Sequence, residues 1–79
     1  MFRILFVCHG NICRSTMAEF VLKDMVTARG VADEFHIESA ATSTEEIGNP
    51  VHPGTVGELR RHGIGGFEKK RARQLRRAD

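Results

Sequence analysis

The stretch Phe2-Arg3-Ile4-Leu5-Phe6-Val7-Cys8-His9-Gly10-Asn11-Ile12-Cys13-Arg14-Ser15 decides the fold and most of the chemistry. Phe2 to Val7 is a continuous apolar run with Val and Ile, the pattern of a buried parallel strand. Cys8 and Arg14 then bracket a short loop containing Gly10 and Asn11. Beyond it, Met17, Val21, Met25 and Ala28 recur at helical spacing, joined by Phe20, with Gly30 as the stop. Thr16-x-x-Glu19 has the form of a capping box, and Ser15 is a second possible N-cap. Strand, tight loop and helix N-terminus in that order can aim backbone N–H groups and the positive end of a helix dipole at one anion.

Around this segment the chain reads as one small α/β unit. Phe35, Ile37 and Ser39 alternate with His36 and Glu38, which predicts a second strand over 34–40. Residues 41–53 read as a loop, 54–62 as a short helix with Val56 and Leu59 inward, 64–67 as a turn and 72–75 as a third short strand. Arg76 to Asp79 reads as the approach to another helix. A strand-helix-strand unit places its first loop at the carboxyl end of the sheet, where open α/β folds bind their ligands.

Composition narrows the choice. Seventy-nine residues allow one domain with a thin core, which dimerisation would help. No apolar stretch reaches 18 residues, so no membrane span is expected, and the N-terminal run is too short for a signal peptide. A cytoplasmic location follows by default, and a reducing compartment argues against a structural Cys8–Cys13 disulfide. The net charge of +2 conceals an asymmetry: residues 1–59 carry four basic and eight acidic side chains, residues 60–79 eight basic and two acidic. Such a block can mark nucleic-acid binding, but no aromatic residues interleave it to stack bases. A solvated surface whose acidic complement lies outside the 79 residues is the plainer alternative.

The loop supports a definite chemistry. A thiol surrounded by amides and a guanidinium ionises easily, and the thiolate is the nucleophilic form. Cys8 would attack the phosphorus of a bound monoester in line with the ester oxygen, and Arg14 would grip two equatorial oxygens with its planar fork. Amides from His9 to Ser15 would surround the oxygens. Gly10 permits the close approach, and Asn11 tolerates a left-handed backbone. Ser15 would donate to the thiolate and improve it as a leaving group. Ile12 and Cys13 complete the loop, with Cys13 near enough to Cys8 for a reversible disulfide. For Cys8 the alternative role is a small buried hydrophobe. Zinc binding by Cys8, His9 and Cys13 lacks the usual paired-ligand spacing. His9, His36, His52 and His62 read as surface residues. Ser39 is either a strand-end hydroxyl or a hydrogen-bond partner of the loop.

The loop resembles the signature V-C-x-G-N-x-C-R-S of the low-molecular-weight protein tyrosine phosphatases. The likeness continues through Ser39-Ala40-Ala41-Thr42-Ser43, Gly48-Asn49-Pro50, His62-Gly63-Ile64 and Ala72-Arg73-Gln74. It implies a flavodoxin-like parallel sheet of order 2-1-3-4-5, of which residues 1–79 would form the N-terminal portion of a single phosphatase domain. It also implies hydrolysis without metal or other cofactor, through a phospho-cysteine intermediate. Cys8 would be the nucleophile, Arg14 the phosphate clamp, Ser15 the stabiliser of the leaving thiolate, and Asn11 and Ser39 the loop-orienting network. The partners implied are a phosphotyrosine protein or small aryl phosphate, a phosphate- or sulfate-like anion in the loop, and a homodimer or domain swap. Ile12, where arginine phosphatases of the family carry threonine, favours phosphotyrosine.

Three departures accompany the likeness. The family runs to about twice this length, and its general-acid aspartate lies in the other half, which Asp79 does not match. Glu45 stands where an aromatic wall flanks the substrate ring, and Lys70 where histidine is frequent. The 79-residue chain is therefore expected to bind phosphate-like anions and turn over slowly. Other readings are a catalytically impaired phosphate- or partner-binding fragment and a thiol arsenate reductase, which needs resolving cysteines beyond Cys13.

Overall fold

The apolar run and its loop are built as a strand entering a helix. In the computed structural model, which describes residues 1–79, β1 (Phe2–Cys8) leads through the loop into α1 (Arg14–Ala28). A single 3₁₀ turn (Ala32–Glu34) then turns the chain into β2 (Phe35–Ala41), and α2 (Pro53–Arg61) follows after an irregular stretch. β1 and β2 pair in parallel with Phe2 opposite Phe35 and Cys8 opposite Ala41. They are the adjacent pair that begins the expected order, and the architecture is a partial flavodoxin-like α/β fold.

Side chains alternate across a strand, so Ile4, Phe6 and Cys8 share one face with Ile37, Ser39 and Ala41. α1 covers that face, and Ser39 reaches Glu19 of the helix. The core gathers Phe20, Val51, Leu59 and Phe67, with Met17, Val21, Val56 and Ile64 packed on it. Phe20 and Phe67 meet edge-on at 6.2 Å between centroids, a favourable aromatic arrangement. α2 starts where Pro53 takes the first helical position and exposed His52 caps it, its Nδ1 accepting from Gly54 N at 3.0 Å.

Several expectations are corrected. β1 is not a buried strand: none of its residues is fully buried; Val7, 44% exposed, points away from the face α1 covers, and Phe2, 63% exposed, lies at the open start of the strand. The expected stripe of α1 is broken at Met25, which is 47% exposed, and the neighbouring Val26 is the buried residue of that turn. Thr16 and Glu19 form no capping box. The N-cap is Cys13, without a side-chain cap, and both residues instead turn inward from α1. The expected strand at 72–75 is reduced to a single parallel bridge, Gln74 to Ala41. Arg76–Asp79 closes as a turn, with Asp79 N donating to Arg76 O at 3.0 Å. Phe67, read as part of a turn, is a core residue at 4% exposure.

The basic block of residues 60–79 also finds partners. Lys70 approaches Glu19, Arg73 approaches Glu38 and Asp79, and Arg61 pairs with Glu58.

Candidate active site

Cys8 ends β1 and Arg14 opens α1, so the sheet and the helix fix the two lips of the loop. Between them Asn11 adopts φ +58°, a left-handed conformation that only Gly and a few short polar residues enter readily. Its side chain, 1% exposed, is the hub of the site. Asn11 Nδ2 donates to Ser39 Oγ at 2.7 Å and to Ser15 Oγ at 2.9 Å, while Oδ1 accepts from Arg73 N at 3.1 Å. Thr16 Oγ1 donates to the Asn11 carbonyl at 2.9 Å, pinning the loop to the helix. One residue thus ties together the loop, α1, β2 and the segment after α2.

The network continues inward. Ser39 Oγ donates to Glu19 Oε1, and buried Glu19 is held by Lys23 Nζ at 2.6 Å, with Lys70 Nζ 3.5 Å away. Lys70 also donates to the Ser39 carbonyl at 3.1 Å. Burial pushes the Lys70 ammonium below the ordinary lysine range, and nearby Glu19 opposes that shift. No buried side-chain polar atom is left without a partner, the condition under which such networks hold one geometry.

At the other end of the chain of bonds lies Cys8. Its Sγ is 3.0 Å from Ser15 Oγ and accepts from Asn11 N at 3.3 Å. Partial burial alone would push the thiol up. The Ser15 hydroxyl and the amides of Ser15, Asn11 and Gly10 outweigh it, so the Cys8 pKa falls below that of an ordinary thiol. The amides of Ile12, Cys13 and Arg14 donate to no backbone acceptor, and they lie at the positive end of the α1 dipole. Cys8, Arg14 and Ser15 line one open concavity of about 300 Å³ with Phe6, Val7 and Ala18. The nucleophile candidate, the arginine and the serine therefore border one small space. Nowhere do three or more His, Cys, Asp or Glu side chains gather closely enough to hold a metal ion.

The family model for low molecular weight phosphotyrosine protein phosphatase matches residues 3–79. The chain belongs to this family. It is 47% identical over 76 residues to the low molecular weight phosphotyrosine protein phosphatase of Rattus norvegicus, covering 96% of this chain and 47% of the relative. Its backbone is similar to that of YfkJ from Bacillus subtilis, with a TM-score of 0.90 and 45% identity over 95% of this chain and 46% of that one. The low molecular weight protein tyrosine phosphatase SP-PTP from Streptococcus pyogenes superposes with a TM-score of 0.92 and 46% identity, over all of this chain and 50% of that one. The chain spans about half the length of these family members.

The structure brings Cys8, Asn11, Arg14, Ser15 and Ser39 together, and it resolves the two readings of Ser39 in favour of a partner of the loop. Cys13 is exposed, and its Sγ accepts from Thr55 Oγ1 at 3.2 Å. Gly10 lies against Glu46, whose Cγ is 3.2 Å from where a Cβ on Gly10 would stand. His9 is exposed, as a surface histidine should be, but it also has a partner: Nε2 is 3.0 Å from Glu45 Oε2. Ile12 is partly buried, and its carbonyl accepts from His52 N at 2.8 Å. Sequence reasoning missed Glu19, Thr16 and Arg73 N. The i,i+4 spacing of Glu19 and Lys23 shows in the sequence, but the burial of Glu19 and its contact with Ser39 do not.

Proposed function

We propose that the site carries out cysteine-dependent phosphomonoester hydrolysis, with residues 1–79 as the N-terminal portion of one phosphatase domain. The observation that carries this reading is the placement of Cys8 Sγ 3.0 Å from Ser15 Oγ and 3.3 Å from Asn11 N, in a concavity shared with Arg14, which favours the ionised thiol. In the first step the Cys8 thiolate attacks phosphorus while the bond to the ester oxygen breaks, and the leaving oxygen takes up a proton from solvent water. Arg14 and the amides of Ile12, Cys13 and Arg14 hold the equatorial oxygens as charge shifts between them. In the second step water attacks phosphorus, inorganic phosphate departs, and Ser15 stabilises the sulfur that leaves.

The leaving-group proton does not come from Asp79. Hydrogen bonds from Arg73 and from Arg76 N hold its carboxyl well below the usual carboxylate range, so at neutral pH it has no proton to give. General acid catalysis typically contributes about 10²–10⁴-fold, and a phenolate with a pKa of about 10 needs it most. Phosphotyrosine proteins and small aryl phosphates are the substrates this reading supports. The exposed apolar residues Phe2, Val7 and Leu75 favour a homodimer or strand exchange. The two free thiols suit a reducing, cytoplasmic setting, and no helix is long and apolar enough to cross a membrane.

The test is hydrolysis of nitrophenyl phosphate beside phosphotyrosine, with acid-quenched mass spectrometry of the protein. Expected are a phosphate adduct on Cys8, turnover that favours the nitrophenyl ester, and loss of both in Cys8→Ser. Hydrolysis that survives Cys8→Ser would refute the reading.

A further inference from the structure

The loop has a rim as well as a floor. Beyond β2 the chain runs alongside the start of the loop: Thr42 N donates to Cys8 O at 2.9 Å, and Ser43 N and Oγ both donate to His9 O, at 3.1 and 3.0 Å. That docking sets residues 44–46 beside the anion-binding backbone, with Glu46 packed over Gly10. Glu46 is engaged by Asn49 Nδ2 at 2.6 Å. Glu45 has one side-chain partner, His9, and the side chains of both are well exposed. The Glu45 carboxylate therefore stands on the His9 side of the loop that would hold a phosphate, and adds a second negative charge to that edge.

We infer that Glu45 makes this site selective for phosphopeptides that carry a lysine or arginine beside the phosphorylated residue. The inference rests on the phosphatase reading and names its substrate class. Arg14 and the loop amides neutralise the phosphate itself and leave the Glu45 charge uncompensated by them. At neutral pH His9 is the single side-chain partner of the Glu45 carboxylate, and both groups are open to solvent and to exchange with another cation. A lysine or arginine of the substrate is fully charged there and takes over the exposed carboxylate. An acidic neighbour adds a third negative charge to the rim and is repelled. Residues 41–50 contain no aromatic side chain, so charge rather than ring stacking is the discriminating chemistry along this edge.

The experiment uses the 79-residue chain and three fluorescent peptides of the non-hydrolysable analogue phosphonomethyl-phenylalanine, flanked by Lys, Gln or Glu. Their affinities are read by polarisation at low ionic strength, with inorganic phosphate binding measured in parallel. The expected order is Lys, Gln, Glu, with about a threefold to tenfold span, the range of exposed ion pairs summed over attraction and repulsion. The span collapses in Glu45→Gln and reverses in Glu45→Lys. Because each variant is scored by the ratio of its own affinities, a uniform change in binding does not enter. Equal affinities in a chain that binds phosphate, or a span unchanged in Glu45→Gln, overturn the inference and leave the phosphatase reading standing. A folded chain that binds no phosphate overturns both.

Discussion

Replacing Asn11 separates the two reasons for its presence: its hydrogen bonds and its backbone. Its side chain makes three well-formed bonds, to Ser15, Ser39 and Arg73 N, all within 3.1 Å and away from solvent. At a net contribution of about 1 kcal/mol each, losing them costs about 3 kcal/mol. Alanine at φ +58° adds about 1–2 kcal/mol of left-handed strain, which glycine avoids. A domain of this size is stable by about 4–12 kcal/mol. Asn11→Gly should therefore lose about 3 kcal/mol and Asn11→Ala about 4–5, with alanine the worse of the two. Urea unfolding measures both, and at about 1 kcal/mol per molar the midpoints fall by about 3 M or more. A loss below about 1 kcal/mol in either variant, or an alanine variant more stable than the glycine one, would refute the assignment of Asn11 as the hub.

Other outcomes follow from the same contacts. Ser15→Ala removes the hydroxyl 3.0 Å from Cys8 Sγ and should move thiol alkylation to higher pH. Because the native Cys8 pKa lies below its unfolded value, ionised Cys8 contributes stability above the ordinary thiol range of about 8.5, lost as pH falls through the native value. The pH dependence of stability below that range should therefore flatten in Ser15→Ala, and an unchanged alkylation midpoint would count against the account. Leu59→Ala opens a cavity at the best-buried apolar side chain of the core and should cost about 2–5 kcal/mol in chemical unfolding, with a cost under 1 kcal/mol arguing against the cluster.

The loop was legible because its chemistry is local. An apolar run, a Gly-Asn turn and a helical stripe each carry their own period, and Cys8 and Arg14 fall at their junctions. What was not legible depended on distant partners. Thr16 and Glu19 have the spacing of a capping box, yet Asn11 and Ser39 claim both, and nothing in a four-residue pattern reveals that competition. Phe67 sits among glycines with no periodic neighbours, so its place opposite Phe20 could be seen only in three dimensions. β1 has the composition of a strand buried on both faces, but burial requires a layer on each, and α1 supplies one. Glu45 and His9, 36 residues apart, meet only because β2 runs parallel to β1 and carries residues 42 and 43 along the loop.

The central claim is that one turn of backbone holds a tetrahedral oxyanion between sulfur and guanidinium. Calorimetric titration of the folded chain with orthovanadate tests it most directly. The account predicts one vanadate per chain, displaced by inorganic phosphate and lost in Arg14→Ala. A folded chain that takes up no vanadate, or binds it equally well without Arg14, would contradict it.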